Sequence, residues 1–525
     1  MIKNTGYKFV FFILFLIFGF SEFLYAEISV QYFGGAQRVS GSCALLKTNE
    51  ISVIIDCGSF YEEDDLPSDN SVIDEKLINA DAMVLSHAHN DHSGKIPVLL
   101  KEGFKGKIYC TSATKKILFE MFDDGWNFQD VKNKYFWSKN RKKKIEKFSK
   151  GTLTIHWHNE CKKSINDVEE SKISVSQSNI QNKYKIKTKL CKNCLKKDLE
   201  KIQKQFVVLE YKKNKDLSDN VSFVLFDAGH IPGSASIIFY VYDKNKINTI
   251  AFSGDLGNVF SKLTPDKDII SKSDFVFIET TYGANKQNIN FTDYKKFQTA
   301  LSDAVKNNKI IWIPALSLHR TQKVLYEIKQ AQLNGLIPEN IPVYSLSPSS
   351  NGVTKLYETE LKYPSKEKWF KKEVYKTGSF LPFNYINKIP KTFQTPSIII
   401  SASGMMDKGV SVNLLNKLLP LKNVEVFLVS YASLKTPAGK LKSGSKYIKT
   451  KYGTVKVKAD INIFNIFSDH PDIDELLHWL SKQDSQTNIY LVHGEKETLK
   501  KTQKFYKEKG FINTYIAVEG NNQLN

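Results

Sequence analysis

Apolar runs of strand length recur along the chain, and a polar or glycine-containing turn follows each of them at once. In an α/β protein the carboxyl ends of successive strands form the site, so polar residues placed there are candidates for chemistry. The pattern therefore predicts an α/β fold with its site at the strand ends. The runs and the residues that follow them are 51–55 before Asp56, 82–85 before Ser86, 223–226 before His230, 250–252 before Asp255, and 489–492 before His493.

The densest group of polar residues is Ser86-His87-Ala88-His89-Asn90-Asp91-His92. If the chain stays extended after residues 82–85, His87 and His89 point to the same side and can bind one metal ion. Asp91 and His92 follow a short turn later and can reach a second ion nearby. Zinc suits a site with this many histidines. A His-rich surface loop is the alternative, and the other histidines at strand ends disfavour it.

Seven segments of the chain, in order, resemble the motifs of one protein family. The first four resemble the metallo-β-lactamase fold: Asp56, His87-x-His89-x-Asp91-His92, Gly229-His230, and Ser253-Gly254-Asp255. The other three resemble the extra motifs of the β-CASP branch: Glu279 in 279–283, His470 in 467–470, and His493 in 491–495. That branch contains nucleases such as bacterial ribonuclease J and the nuclease subunit of the pre-mRNA cleavage and polyadenylation complex. The resemblance implies a four-layer αββα sandwich with an inserted α/β β-CASP domain.

The resemblance also implies two zinc ions per chain and a water held between them as the nucleophile. It places three ligands on each ion and one bridging ligand between them: His87, His89 and His230; Asp91, His92 and His493; and Asp255. It gives catalytic roles to Asp56, Asp91, Glu279 and His470. Asp56 would orient the ligands. His470, held by Glu279, would protonate the leaving oxygen.

His493 bears on the substrate, because RNA-processing members of the family carry histidine at this motif and DNA-repair members carry valine. We therefore expect a zinc-dependent phosphodiesterase that cleaves single-stranded RNA, as an endonuclease or an exonuclease, with DNA as a second candidate substrate. A homodimer is compatible with this reading. One alternative is a hydrolase of a small ester or lactam, which would not need Glu279, His470 or the inserted domain. The other is a non-catalytic RNA-binding scaffold, which the complete ligand set disfavours.

The expected organisation has four parts. Residues 1–26 form a signal peptide, 27–283 the first part of the metallo-β-lactamase domain with an insertion at about 118–220, 284–458 the β-CASP domain, and 459–525 the return to the first domain. The signal peptide rests on Lys3 and Lys8, the apolar stretch 9–20, and cleavage after Ala26. The stretch is short for a membrane span, and no other run is long enough. We expect an exported protein, periplasmic or secreted, with an uncleaved anchor as the alternative.

The inserted domain offers a candidate seat for a substrate phosphate. The apolar residues 398–400 lead into Ser401, Ser403 and Gly404, where small residues expose backbone N–H groups to an anion. An ordinary strand-to-helix turn is an equal alternative. Family members often have Asp-Ser-Pro near residues 346–348 and Gly-Tyr-Gln-Ala near residues 430–433, and this chain differs at both places.

The charge of the chain supports a polyanionic substrate only weakly. Its 75 Lys and Arg against 55 Asp and Glu give +20 at pH 7, but arginine occurs only three times. An AT-rich coding sequence produces the same bias towards lysine.

Six cysteines are present, of which Cys43 and Cys57 are expected in the core. Three of the remaining four cysteines and two histidines predict a third, structural zinc, with a disulfide as the alternative: His156, His158, Cys161, Cys191 and Cys194.

Overall fold

The structure is a computed structural model. It describes residues 28–61, 69–123, 202–243, 246–287, 291–359, 392–450 and 452–524, positions 200 and 389, and the backbone of short strands within 143–190 and at 384–385. The predicted signal peptide and four residues of the predicted third zinc site lie outside these residues: His158, Cys161, Cys191 and Cys194. Of His156, only the backbone is described, within the strand Thr152–Trp157.

The described strands and helices alternate along most of the chain. The strands are β1 (Ser29–Gly34), β2 (Cys43–Lys47), β3 (Ser52–Ile55), β4 (Ala82–Val84), β5 (Lys107–Thr111), β6 (Lys143–Ser149), β7 (Thr152–Trp157), β8 (Lys185–Leu190), β9 (Phe206–Leu209), β10 (Asn214–Asp216), β11 (Val221–Asp227), β12 (Ala235–Asp243), β13 (Lys246–Phe252), β14 (Phe275–Glu279), β15 (Ile310–Pro314), β16 (Val343–Ser345), β17 (Asn384–Tyr385), β18 (Ser397–Ser401), β19 (Val424–Leu428), β20 (Tyr447–Thr450), β21 (Gly453–Lys456), β22 (Asp460–Ile463), β23 (Asn488–Val492), β24 (Thr514–Ile516) and β25 (Gly520–Gln523). The α-helices are Glu75–Ile78, Asn90–Ser93, Ile96–Glu102, Ser112–Asp123, Phe291–Lys306, Arg320–Leu333, Pro348–Thr359, Gly409–Leu418, Pro437–Lys442, Ile473–Trp479 and Lys496–Glu508, and Asn465–Phe467 is a 3-10 helix.

Two seven-stranded sheets form the first lobe, in the orders β25-β1-β2-β3-β4-β5-β9 and β10-β11-β12-β13-β14-β23-β24. Side chains alternate between the faces of each strand, as the two-residue repeat requires. Val53 and Phe277 lie in the core between the sheets. Ile54 packs on the outer helices of the first sheet and Ile278 on those of the second. The predicted four-layer αββα sandwich is therefore confirmed.

The second lobe is built on a six-stranded parallel sheet, in the order β17-β16-β18-β15-β19-β22. Helices cover both faces of this sheet. Trp312 packs in the cluster that contains helix Gly409–Leu418, whereas Ile311 and Ile313 share a cluster with helix Arg320–Leu333. The sheet includes β22, so it extends past the predicted boundary at residue 458.

The two lobes share one hydrophobic cluster. Helix Ser112–Asp123 of the first lobe packs against helix Pro348–Thr359 of the second, and the cluster extends from Phe122 to Tyr357. The predicted insertion begins within the first of these helices. The core sheets resume at Phe206, before its predicted end at about residue 220. Within the described ranges, no helix combines the length and apolarity that crossing a bilayer requires.

The first sheet joins the early and late parts of the chain. Strand β1 lies between β2 and β25 and is antiparallel to both. The Asn522 side chain also donates a hydrogen bond to the Val30 carbonyl at 3.2 Å. The late strand β25 is therefore an integral part of the first lobe.

Candidate metal centre

The histidine-rich segment leaves β4 and turns into the short helix Asn90–Ser93. Three backbone hydrogen bonds hold this turn against the ends of β2 and β3: Ser42 N–H to Asp91 O at 2.8 Å, Cys57 N–H to His92 O at 2.7 Å, and Ser59 N–H to Asn90 O at 2.9 Å. A side chain at Gly58 would collide with the turn, because an added Cβ would lie 1.6 Å from the Asp91 carbonyl oxygen. Glycine at this position therefore allows the close approach that places Asp91 and His92.

The first cluster of donor atoms combines His87, His89, His230 and Asp255. His89 Nδ1 lies 3.1 Å from His87 Nε2 and 3.2 Å from His230 Nε2. Asp255 Oδ2 lies 3.6 Å from the Nε2 atoms of both His87 and His230. Three strand ends of the first lobe, those of β4, β11 and β13, thus contribute one group of ligands that could hold a cation.

The second cluster combines Asp91, His92 and His493, and Asp255 again lies beside it. His92 Nε2 lies 3.2 Å from His493 Nε2 and 3.1 Å from Asp255 Oδ1. His493 Nε2 lies 3.6 Å from Asp91 Oδ2. One oxygen of Asp255 faces each cluster, which is the arrangement that a bridging carboxylate requires.

The spacing of these donor atoms fits metal coordination. Ligand atoms around a tetrahedral zinc ion with bonds of about 2.05 Å lie about 3.3 Å apart. The separations of 3.1 to 3.6 Å within the two clusters lie close to that value. Imidazole nitrogens with carboxylate oxygens are also a donor set that zinc accepts. The residues present therefore fit two metal ions.

The three histidines of the first cluster are neutral near pH 7, so their lone pairs are available to a metal. Burial lowers the pKa of His89 to about 3 and that of His230 to about 4, and it also lowers the pKa of His87 well below its usual value. Neighbouring imidazoles add to the effect, because a second positive charge nearby would be repelled.

Asp56 supports both clusters from behind. Its carboxylate accepts hydrogen bonds from the Ser86 backbone N–H and hydroxyl, both at 2.7 Å, and contacts His92 Nδ1 at 2.7 Å. Ser86 Oγ also lies 3.0 Å from His87 Nδ1. Burial alone would lower the pKa of His92, but the nearby carboxylates of Asp255 and Asp56 raise it well above its usual value. A proton therefore competes with the metal at His92.

Two of the residues at the centre have strained backbones. Asp56 has φ 58° and His493 has φ 52°, a region that glycine occupies more readily than other residues. The His493 backbone N–H donates to Gly35 O at 2.7 Å, and its Nδ1 lies 3.1 Å from the Thr281 hydroxyl. Such strain persists only where surrounding contacts enforce it, and it is concentrated at functional sites.

His470 and Glu279 form a pair beside the first cluster. His470 Nδ1 lies 3.0 Å from Glu279 Oε2, and its Nε2 points towards Asp255 Oδ2 at 4.0 Å. Glu279 is fixed by the Leu256 backbone N–H at 2.7 Å and the Thr281 hydroxyl at 2.7 Å. Burial opposes protonation of His470, but the Glu279 carboxylate outweighs it and raises the His470 pKa to about 9. The imidazole is therefore protonated at neutral pH in the metal-free protein.

The predicted phosphate residues lie in the second lobe at the end of β18. Ser401 is buried, and its hydroxyl bonds to Trp312 Nε1 and Ser411 Oγ, both at 2.9 Å. The side chain of Ser401 is therefore engaged inside the lobe. Ser403 bonds to Asp407, and Gly404 lies against Ser430, whose Oγ would be 2.5 Å from an added Cβ.

A second buried polar group was not anticipated from the sequence. The Asp469 carboxylate lies within 4 Å of three basic side chains at the start of helix Arg320–Leu333, whose N-cap is His319. The distances are 2.6 Å to Lys323, 3.5 Å to His319 and 3.7 Å to Arg320. His319 has φ 63° and also contacts the Tyr357 hydroxyl at 2.8 Å. Asp469 could have been noticed because it directly precedes His470 in the sequence. Lys323 could not, because a lysine within a helix carries no sequence signature of its own.

Comparison with known protein families gives three matches that together cover most of the chain. Residues 36–301 match the metallo-beta-lactamase superfamily, residues 321–441 the Beta-Casp domain, and residues 454–517 the Zn-dependent metallo-hydrolase RNA specificity domain. The three matches follow one another in the order that the structure gives to the first lobe, the inserted lobe and the return.

Curated relatives of the chain include three proteins at similar levels of identity. An RNase J-like protein of Methanocaldococcus jannaschii is 24% identical over 94% of this chain and 99% of its own length. A ribonuclease of Thermus thermophilus is 25% identical over 89% and 93%, and a transcription termination factor, FttA, of Methanosarcina mazei is 24% identical over 90% and 67%. The family matches cover the chain in the order of its lobes. The chain therefore belongs to the β-CASP branch of the metallo-β-lactamase superfamily.

Proposed function

We propose that this protein is a zinc-dependent ribonuclease that hydrolyses phosphodiester bonds of single-stranded RNA. The observation that supports it most strongly is the pair of donor clusters that share Asp255. The RNA specificity match and the ribonuclease relatives support RNA as the substrate. When bound, two zinc ions would supply the Lewis acidity that activates a water molecule and offsets charge on the phosphate.

The residues around the clusters have separate tasks in this proposal. His87, His89 and His230 would hold one zinc ion and Asp91, His92 and His493 the other, and Asp255 faces both clusters. Asp56 orients His92 through its Nδ1. His470 delivers a proton from Nε2 to the leaving oxygen, because Glu279 holds its Nδ1 side and favours the protonated ring.

The first experiment is cleavage of end-labelled single-stranded RNA by the purified chain from residue 27, with two equivalents of zinc. The His89→Ala variant should lose at least about 100-fold in rate, because it removes a ligand of the first cluster. His478→Ala is the matched control, since His478 is exposed and lies outside the donor clusters. Elemental analysis should find two zinc ions in the wild type and in the control.

The same experiment separates the rival functions. Equal cleavage of a matched DNA strand would widen the substrate to both nucleic acids. A zinc-loaded protein that cuts neither strand but hydrolyses a small ester or lactam would replace the ribonuclease proposal. RNA binding without cleavage of any substrate would leave a scaffold as the function. The ladder of products distinguishes internal cutting from cutting at an end.

We infer further that the protein is exported from the cytoplasm. The support is the sequence of residues 1–26, with Lys3 and Lys8, the apolar stretch 9–20 and a small residue at position 26. Fractionation of cells that make the native protein, followed by mass analysis of its amino terminus, tests this. A chain that begins at residue 27 outside the cytoplasm is the expected result. Intact residues 1–26 on a cytoplasmic protein would contradict it.

A further inference from the structure

The loop that carries His470 is held from the first lobe by two amide side chains. Asn258 Nδ2 donates to Ser468 O at 2.7 Å, and the Asn258 backbone N–H donates to Asp469 O at 3.0 Å. Gln287 Nε2 donates to His470 O at 3.1 Å. These bonds fix one side of the loop, so the position of the imidazole depends on what holds the other side.

Lys323 of the inserted lobe holds the other side. Its ammonium group donates to Asp469 Oδ1 at 2.6 Å, to Ser468 O at 3.2 Å and to Phe467 O at 3.3 Å. An ammonium group has three protons, so these three bonds use all of its donors on three consecutive residues of the loop. Lys323 is 4% exposed and Asp469 is 5% exposed, so solvent can replace neither partner.

Burying an ion pair costs free energy, so its presence here calls for a reason other than stability. Taking a lysine and an aspartate out of water costs free energy that their attraction alone often does not recover. An apolar pair would hold two lobes together at least as well, but it would not fix the direction of three loop carbonyl and carboxylate groups. The ion pair therefore provides orientation rather than stability alone.

We propose that Lys323 is a positioning residue, through which the inserted lobe sets the place of His470 relative to the metal clusters. Any displacement of helix Arg320–Leu333 on substrate binding then moves the His470 loop with it. This inference rests on the proposed function for the role of His470 as the proton donor. The arrangement of Lys323, Asp469 and the loop stands independently of that role.

The test compares two substrates that differ in their need for a proton. The leaving oxygen of RNA must be protonated, whereas p-nitrophenolate leaves without a proton, so bis(p-nitrophenyl) phosphate does not need the acid. In the zinc-loaded protein, Lys323→Met should lower kcat on RNA by about 10- to 100-fold, within the range of general acid catalysis. It should change KM and the rate on the p-nitrophenyl substrate by less than about threefold. His470→Ala should show the same selectivity, and the double variant should be little worse than His470→Ala alone.

Gln298→Met is the matched control for stability. Gln298 is buried and donates at 2.8 Å to Glu327, four residues after Lys323 on the same helix. Its loss should lower thermal stability but leave the ratio of the two activities unchanged. If Lys323→Met does not fold, Lys323→Gln retains two donors and should give an intermediate loss on RNA alone.

A second readout does not depend on activity. Hydrogen exchange of the segment 466–471 should accelerate in Lys323→Met, while the neighbouring helix Ile473–Trp479 keeps its protection. Unchanged exchange in the loop, or equal loss of both activities, would overturn the positioning role. A wild type that cuts neither substrate would end the proposed function, and the exchange measurement would still decide whether Lys323 holds the loop.

Discussion

The contact between His470 and Glu279 determines how the proposed reaction depends on pH. The acid form of His470 is needed, so activity should fall as pH rises through its pKa. That pKa is about 9 in the metal-free protein, and bound cations would lower it. Because the Glu279 carboxylate raises the pKa, Glu279→Gln should move the alkaline limb of the kcat profile on RNA to lower pH. Steady-state rates from pH 6 to 10 measure the displacement.

The control for this prediction is Glu497→Gln. Glu497 is an exposed carboxylate that pairs with Lys500 at 2.9 Å, so its loss should leave the profile where it is. An alkaline limb that stays fixed in Glu279→Gln would mean that another group carries the proton. The p-nitrophenyl substrate should show no limb of this kind in either protein.

Asp56 should matter for metal affinity although it lies behind the ligands. Asp56→Asn keeps the shape of the side chain but removes the negative charge that orients His92 through Nδ1. Losses of this kind typically weaken metal binding by about 10- to 100-fold. Competition with a zinc chelator at pH 7.5 should show the loss on the second cluster. Equal affinity in the variant and the wild type would contradict the orienting role.

At the scale of single residues, the structure brings together the histidines and aspartates that the sequence singled out, whereas the polar groups around them were not anticipated. His87, His89 and their neighbours lie at strand ends, where the pattern of the chain already draws attention to them. His319 caps the helix Arg320–Leu333, and Lys323 lies in the first turn of that helix. Only the packing of the two lobes brings both side chains to Asp469. The direction of the Ser401 hydroxyl was likewise decided by its buried neighbour Trp312.

The turn that carries Asp91 and His92 depends on a close approach between elements. Gly58→Ala should displace this turn, since the added Cβ would lie 1.6 Å from the Asp91 carbonyl oxygen. Movement of backbone is needed to relieve the collision, so zinc content should fall and thermal stability should decrease. Elemental analysis and thermal unfolding measure the two effects.

Gly335→Ala provides the comparison. Gly335 has φ 68° but nothing within 4 Å of an added Cβ, so only backbone strain is introduced. That strain costs about 1 kcal/mol, and zinc content should not change. Equal zinc content in Gly58→Ala and Gly335→Ala would show that the turn tolerates a displaced β3 end.

Strand positions followed from the apolar runs wherever the run was long and its turn was polar. The apolar runs 250–252 and 489–492 were predicted strands and fall within β13 and β23. Strand β10 was not predicted, because the three residues Asn214–Asp216 are polar and exposed in part. Its identity as a strand comes from its pairing with β11, which a local pattern does not contain.

Because the two lobes share one hydrophobic cluster, we expect them to unfold as one cooperative unit. Phe122→Ala should destabilise the protein by about 3 to 5 kcal/mol, as loss of a buried aromatic ring does. We expect the amides of β14 in the first lobe and β15 in the second to lose the same free energy of protection in native-state hydrogen exchange. Loss confined to β14 would show that the inserted lobe unfolds independently.

The overall architecture followed from motif order, but the placement of the second lobe did not. The four-layer sandwich and an inserted α/β domain are confirmed by the sheets and the family matches. Which helices join the lobes depends on side-chain packing over long sequence separations, as between Phe122 and Tyr357. Apolar periodicity shows that a face is buried and does not show what buries it.

The pairing of β1 with β25 has a consequence for when the first lobe can fold during synthesis. A ribosome delivers β1 almost five hundred residues before the strand that completes its sheet, and His493 also comes late. The first lobe therefore reaches its native form only once β25 has been made, and contacts so distant in sequence form slowly. Until β25 has been made the first lobe is incomplete, and a chain that has not yet folded is one that a secretion channel can thread. The late pairing of β25 with β1 thus lengthens the time during which the export proposed above would have to occur.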